Sequence, residues 1–235
     1  LNSLITHPYQ PPYPTCRDRE AWDALPREDR EEILEEAARI ADTPYPMLLC
    51  TQFLAFTRTG NRKAYEDPYF LRRRKLILSV LSYCLQGKDE DLDRIVDGVW
   101  CILEETSWVL SAHNVDAHPG APSGAEKPLP DVRAPVIDLF AAQTAMILSL
   151  TWYLTGTALD TVSAQIGRRI RLAVEERILT PFETQDVFWW MGFVRRDLNN
   201  WTPWIVSNVL LTSALQLTDL VRLRSMVGRG LGMVD

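Results

Sequence analysis

The amino-acid sequence predicts an all-α protein whose antiparallel helix pairs form an incomplete (α/α) toroid. Apolar residues recur at helical spacing along nearly the whole chain. No convincing run of alternating apolar and polar residues lies between turn dipeptides, as strands would require. Eight or so helical stretches are separated by mostly short turns. A helical bundle or a solenoid fits the same periodicity, so the pattern by itself establishes only the all-α class.

The first 25 residues are predicted to form an extended arm, and residues 26–235 a helical domain. Several prolines between residues 8 and 14 disfavour a helix in the arm. The aromatic rings of Tyr9, Tyr13 and Trp22 should hold it against the body. No basic segment followed by an apolar one opens the chain, so no signal peptide is expected. A processed mature protein would look the same, so the expectation is a soluble protein whose compartment, cytoplasm or periplasm, stays open.

The first helix is predicted over residues 26–41, because Pro26 suits a first helical position and Glu28 and Asp29 favour the positive end of the helix dipole. Gly60 and Gly87 should end the next two helices. The predicted helices after the first are 46–57, 67–86, 90–105, 136–155, 159–179, 183–194 and 203–224. Residues 111–135 form a long loop rich in proline, glycine and alanine, and such loops are often functional. The glycine-rich tail 228–232 is predicted to be a loop, and the chain to be truncated there.

Composition and charge narrow the classes of partner. Hydrophobic residues make up 46% and charged residues 24% of the 235 residues, as in ordinary soluble proteins. The net charge of −6 argues against a general affinity for nucleic acid, which needs a basic surface. Residues 136–156 could span a bilayer, but Asp138 and Gln143 favour a buried helix, so no membrane partner is expected.

The cysteines indicate neither a metal centre nor a disulfide framework. They have no C-x-x-C spacing, so we expect no metal and no cofactor. Apolar helical surroundings predict buried thiols at Cys50, Cys84 and Cys101.

Residues 104–114 are the first candidate site, at a helix end that opens the long loop. His113 and Asn114 follow Trp108 here, and His118 lies just beyond. Two interpretations remain equally open. The imidazole could satisfy helix carbonyls, or it could act in a cleft beside a tryptophan that stacks on sugars.

Residues 188–208 are the second candidate site, and they carry four of the eight tryptophans. Among them are Trp189, Asn199, Asn200, Trp201 and Trp204. Capping could explain Asn199 at one helix end and a threonine at the next helix start, but it leaves the second asparagine unexplained. A buried unpaired amide costs free energy, so a binding site is favoured here.

Two charged runs are interpreted as structural. The third region that stands out is the stretch Arg58–Arg62 together with Tyr65, Tyr69 and the basic run at residues 72–74. It could meet an anion, but a solvated face paired with Glu66 and Asp67 is favoured. The acidic run at residues 89–93 suits a helix N-terminus better than a magnesium motif.

At these segments the chain resembles heparinase II/III-like polysaccharide lyases, specifically the helical toroid that precedes their β-sandwich domain. The resemblance covers most of the chain from about residue 40, and its strongest match is the run 199–204, Asn-Asn-Trp-Thr-Pro-Trp. It implies β-elimination at a uronic acid, in a cleft between toroid and sandwich. The implied partners are an acidic polysaccharide or oligosaccharide and the missing C-terminal β-sandwich domain of the same chain.

The resemblance also implies roles for individual residues. Asn200, or alternatively Asn199, would neutralise the substrate carboxylate, and His113 would be the second catalytic residue. Asn199, Asn114 and the four tryptophans 108, 189, 201 and 204 would bind substrate. In the family the catalytic tyrosine comes further along the chain, so this fragment is expected to be inactive. Two alternatives stay open: a non-catalytic helical carbohydrate-binding or scaffolding domain, and a helical glycoside hydrolase that uses carboxylates such as Glu104, Glu105 or Asp197.

Overall fold

The computed structural model describes residues 3–114, 127–193 and 199–234. Within these ranges every regular element is a helix, which confirms the all-α prediction. The α-helices are α1 (Arg19–Asp23), α2 (Arg27–Ala41), α3 (Cys50–Phe53), α4 (Ala55–Thr59), α5 (Lys63–Gln86), α6 (Asp89–Leu103), α7 (Leu139–Val162), α8 (Ala164–Val174), α9 (Thr180–Thr184), α10 (Trp201–Gln216) and α11 (Leu220–Val234). Short 3-10 turns lie at Ser111–His113 and Trp189–Met191, and a π-helical turn at Glu175–Leu179 joins α8 to α9.

Local sequence signals account for several helix ends. Gly60 and Gly87 close α4 and α5 in the left-handed conformation, with φ of 74° and 67°. Ser163 separates α7 from α8, because its extended backbone ends one helix and its side chain accepts a hydrogen bond from the Gln165 N–H at the start of the next.

The predicted loop at residues 228–232 is wrong, because α11 runs through all three of its glycines. Gly230 lies against the side chains of Val206 and Leu210 on α10. A Cβ at this position would lie within 3.0–3.2 Å of those side chains. The missing side chain therefore allows close packing of the two helices, and the helix persists despite the low intrinsic propensity of glycine.

Helices that are close in the chain pack against one another. Helix α5 packs against α2, α6 and α7, while α7 also packs against α8 and α10, and α10 packs against α11. The main core is formed by the apolar faces of these helices. A smaller cluster of Phe53, Tyr65, Tyr69, Val109 and Leu110 lies apart from it, with Phe140 packed alongside. This second cluster underlies the candidate site.

Backbone hydrogen bonds hold part of the N-terminal arm against the body. The Cys16 N–H donates to the Leu154 carbonyl at 2.9 Å. Trp22 is buried as predicted, whereas the rings of Tyr9 and Tyr13 are exposed. Main-chain hydrogen bonds therefore hold the arm against the body, a role that was predicted for the rings of Tyr9 and Tyr13.

The cysteines are free thiols in different environments. Cys84 is fully buried, and burial raises the pKa of its thiol to about 12. The prediction of a buried thiol is wrong for Cys50, which is exposed, and Cys101 is only partly covered.

Across the described ranges, none of the helices has the length and apolar character needed to cross a bilayer. This includes α7, the segment whose sequence was long enough to raise the question. Its buried threonines and serine, and the aspartate at its start, mark it as a helix of the protein interior.

Candidate functional site

A buried carboxylate positions the imidazole of His113. Asp138 immediately precedes α7, is fully buried, and accepts a hydrogen bond from the Ala141 N–H at 2.7 Å through Oδ1. Its Oδ2 accepts from the Leu110 N–H at 3.2 Å and from His113 Nδ1 at 2.7 Å. An ionised carboxylate has only acceptors, so this contact assigns the proton to Nδ1. In the neutral imidazole, the other ring nitrogen, Nε2, then carries the lone pair.

A guanidinium lies beside that second nitrogen. Arg62 Nη2 is 3.4 Å from His113 Nε2, and Arg62 Nε donates to Glu66 Oε1 at 2.7 Å. Because a guanidinium only donates, its position agrees with a lone pair on Nε2. Arg62 precedes α5 and Glu66 lies one turn into it, so the pair has the helical i,i+4 spacing.

Aromatic rings form the floor around the imidazole. The His113 ring centroid is 4.7 Å from that of Trp201 and 6.1 Å from that of Phe140. Trp189 contacts Trp201 at 5.1 Å between centroids, and Trp204 contacts Phe140 at 6.2 Å. Trp189 and Trp204 are 37% and 42% exposed, so both present ring surface to solvent. The two segments singled out in the sequence therefore meet at one surface, although His113 and Trp201 are far apart in the chain.

The two asparagines that precede α10 have different environments. Asn199 Oδ1 accepts from the backbone N–H groups of Trp201 and Thr202 at 2.9 and 3.0 Å, so Asn199 caps the start of α10. The predicted capping by a threonine is wrong, because the Thr202 hydroxyl instead donates to the Trp190 carbonyl at 2.5 Å. Asn200 is exposed and its side chain does not cap the helix. Asn200 is therefore the asparagine whose amide is open to a ligand, next in sequence to Trp201.

Trp108 and Asn114 have packing roles in the structure. Trp108 is 1% exposed, donates its indole N–H to the Ile102 carbonyl, and lies beneath the guanidinium of Arg177. Asn114 is also buried, and its side chain and carbonyl bond to the carbonyl and N–H of Lys127. Packing explains Trp108 without a ligand, whereas the buried Oδ1 of Asn114 has no hydrogen-bond partner among the described residues. The binding roles of both residues stay predictions.

A buried ion-pair network joins α5 to the segment after α6. Arg73 donates to both oxygens of Glu105, at 2.8 and 2.6 Å, and Arg72 donates to the same carboxylate at 3.2 Å. The interpretation of residues 72–74 as a solvated face is therefore wrong for Arg72 and Arg73, which are buried. Arg74 is exposed and pairs with Glu36. Both oxygens of Glu105 accept hydrogen bonds within this network. Glu105 is therefore a weaker candidate for the catalytic acid of a glycoside hydrolase.

Residues 104–114 thus contribute to two regions. Glu104 and Glu105 line a cavity of about 550 Å³ with apolar residues such as Phe53 and Tyr65, whereas His113 faces the aromatic floor. His118 and Asp197 lie outside the described residues. Within the described part of the chain, no group of three or more His, Cys, Asp or Glu side chains could hold a metal ion.

The sequence did not reveal that Asp138 and Arg62 lie beside His113, although Arg62 belongs to the basic stretch that it singled out. Asp138 stands directly before an apolar helix, which is the signature of an N-cap. Arg62 stands four residues before Glu66, which is the signature of a helical ion pair. Each signal is visible in the sequence, but neither shows a contact with His113. That histidine lies 25 residues from Asp138 and 51 residues from Arg62.

Comparisons with known protein families and with curated proteins find no match for this chain. The geometry around His113 is therefore the basis for assigning a function.

Proposed function

We propose that this chain is the helical toroid part of a polysaccharide lyase that cleaves a uronic-acid polymer by β-elimination. The observation that carries the proposal is the His113 imidazole, held at Nδ1 by buried Asp138 while its ring packs against that of Trp201. The consecutive packing of α2, α5, α7, α10 and α11 suits a partial ring of helices.

The imidazole has the arrangement of a general base. The carboxylate fixes the ring orientation and stabilises the imidazolium that forms when Nε2 takes a proton. In β-elimination that proton comes from the carbon next to the sugar carboxylate. The electron pair then forms a carbon–carbon double bond, and the bond to the glycosidic oxygen breaks. The departing oxygen takes a proton from a general acid, a role that the resemblance gives to the family's catalytic tyrosine.

The substrate carboxylate must be neutralised for this reaction, because the proton beside it is barely acidic. Asn200 is a neutral amide donor, exposed and next to Trp201. A donor that bonds the carboxylate as negative charge develops lowers the barrier. The faces of Trp189 and Trp204 are suited to stacking on the flanking sugar rings.

The first experiment measures binding and turnover on the same preparation. Tryptophan fluorescence reports binding of oligouronates to the 235-residue chain, and ultraviolet absorbance reports the unsaturated product. We expect binding without turnover from this chain, and turnover from the protein that also carries the β-sandwich domain. Robust turnover by the chain itself would contradict the proposed division of catalytic groups. Binding of neutral and acidic oligosaccharides alike, without turnover in either protein, would favour a carbohydrate-binding domain.

The second experiment tests Asn200 in the longer protein. We expect Asn200→Ala to reduce turnover by about 100-fold or more, as for loss of one oxyanion-type donor, with the thermal midpoint unchanged. Asn208→Ala is the matched control, since Asn208 lies two turns along α10 and bonds the Trp204 carbonyl. A stable and fully active Asn200→Ala protein would remove this residue from the mechanism. Cleavage without an unsaturated product would indicate a hydrolase.

A further inference from the structure

We propose that Arg62 is the residue that selects an acidic sugar, by binding the ligand's carboxylate beside His113. This inference rests on the proposed function and gives it a specificity-determining group. Arg62 precedes α5, in the basic stretch for which the sequence favoured a solvated face over an anion site.

Arg62 makes one short ion pair, with Glu66, and one longer contact, with His113. Its Nε bond to Glu66 at 2.7 Å fixes the guanidinium at the rim of the site. The Arg62 side chain remains 47% exposed, while that of Glu66 is 17% exposed. The carboxylate is thus largely covered and the cation faces outward, so an approaching anion meets the guanidinium before it meets Glu66.

The contact between Arg62 and His113 is suited to exchange. A separation of 3.4 Å between Nη2 and Nε2 exceeds the usual range for a hydrogen bond, so little is lost when it breaks. A carboxylate would accept a shorter, charge-assisted bond from the same guanidinium, which can present two parallel N–H groups. When Arg62 turns to the ligand, the lone pair on Nε2 is released toward the sugar. Binding of the ligand's carboxylate by Arg62 therefore also makes His113 Nε2 accessible to the sugar.

The local charges permit an anion here although the chain as a whole is acidic. The negative charge of Asp138 is buried and shared among the N–H groups of Leu110, Ala141 and His113. Glu66 is paired with Arg62 itself. The adjacent aromatic surface can stack on the apolar face of a sugar ring, so it favours a carboxylate carried by a sugar over a free inorganic ion. We therefore commit to a sugar carboxylate.

The test compares two forms of one oligosaccharide. The first is a uronate tetrasaccharide, chosen as the tightest binder from a panel of glucuronate-, galacturonate- and mannuronate-containing oligomers. The second is its carboxyl-reduced form, in which each carboxylate is replaced by a hydroxymethyl group. Calorimetry or tryptophan fluorescence gives the Kd of each for wild type, Arg62→Gln, Arg62→Lys and Arg27→Gln. Arg27 is the matched control, because it makes the same i,i+4 pair with Glu31 at 2.7 Å on α2, away from the site residues.

We expect wild type to bind the acidic form about 10- to 100-fold more tightly than the reduced form, the range for a charge-assisted contact. Arg62→Gln should lose that preference and keep its affinity for the reduced form. Arg62→Lys should retain part of the preference, and Arg27→Gln all of it. Far-ultraviolet circular dichroism and the unfolding midpoint establish that each variant is folded.

Three outcomes would decide against the inference, each in a distinguishable way, and a sulfate competition would support it. If wild type prefers the acidic form and Arg62→Gln keeps that preference, Arg62 is not the selecting residue and the proposed function stands. If wild type binds both forms equally, the site recognises neutral sugar surface and Arg62 selects nothing. If wild type binds neither form of any oligomer in the panel, both the inference and the proposed function fail. Binding of sodium sulfate that competes with the tetrasaccharide only in wild type and Arg27→Gln would support Arg62 as the anion contact.

Discussion

Asp138 should contribute both to the stability of the protein and to the state of His113. In the variant Asp138→Ala, helix α7 loses its N-cap, which costs about 1 kcal/mol of unfolding free energy. The buried Leu110 N–H also loses its acceptor, at a cost of about 1–3 kcal/mol. Loss of the bond to His113 adds about 1 kcal/mol more. The sum is about 3–5 kcal/mol, which a domain stable by about 5–15 kcal/mol can survive.

Urea unfolding followed by circular dichroism measures this loss, with Asp160→Ala as the control, since Asp160 is exposed on the same helix. The control should differ from wild type by less than about 0.5 kcal/mol. If Asp138→Ala unfolds at the same urea concentration as the control, with an unchanged m value, the three hydrogen bonds do not stabilise the fold as argued.

The variant Asp138→Asn separates the two roles of the carboxylate. Its amide oxygen can still cap α7, but its NH₂ group would then face both the Leu110 N–H and His113 Nδ1. We expect His113 to move its proton to Nε2, because Nδ1 now faces a donor, while the long contact of Nε2 with Arg62 can open as that exposed side chain turns to solvent. Nitrogen-15 NMR of the imidazole reports which nitrogen is protonated. A His113 that keeps its proton on Nδ1 in Asp138→Asn would contradict the assignment of Asp138 as the positioning group.

Three further variants test the packing and the charge networks. Glu105→Gln should destabilise the protein by about 3–5 kcal/mol, because it leaves buried arginines without their counter-charge, and urea unfolding measures this. Gly167→Ala should destabilise by about 1–3 kcal/mol in the same assay, since an added Cβ would overlap the Trp152 ring. The hydrogen bond from Arg222 lowers the pKa of Glu175 below its ordinary 4.5, so this pair stabilises the fold above that pH and loses its effect as the pH falls through the lowered pKa. Arg222→Gln should therefore lose less stability than wild type on acidification, which thermal melts across that pH range would measure.

The controls for these variants come from the same elements. Glu104→Gln changes an exposed carboxylate next to Glu105, and it should leave the unfolding free energy within about 0.5 kcal/mol of wild type. Gly232→Ala adds a Cβ with open space around it and should be neutral or slightly stabilising. If Gly167→Ala behaves like Gly232→Ala, the ring of Trp152 can move and the close contact carries no cost. Equal acid sensitivity of wild type and Arg222→Gln would rule out the Glu175 pair as a source of pH dependence.

The sequence determined the helical class and much of the helix pattern, because these depend on interactions within a few residues. The first helix was predicted over 26–41 and spans Arg27–Ala41, and the second long one keeps its predicted end at Gly87. Apolar spacing, acidic first turns and glycine stops act locally, so they can be read without the fold. The two segments rich in polar and aromatic residues were also visible, since their composition departs from what core packing requires.

Tertiary structure alone decided which of these groups meet. The glycine-rich tail looked like a loop, but packing against α10 makes it a helix. The run of arginines looked solvated, but Glu105 draws two of them into the interior. Asp138 and Arg62 carried ordinary capping and ion-pair signals, and only the fold brings them to opposite nitrogens of His113. The physical reason is that such contacts join residues distant in the chain, and their geometry depends on how whole helices pack, which no local pattern encodes.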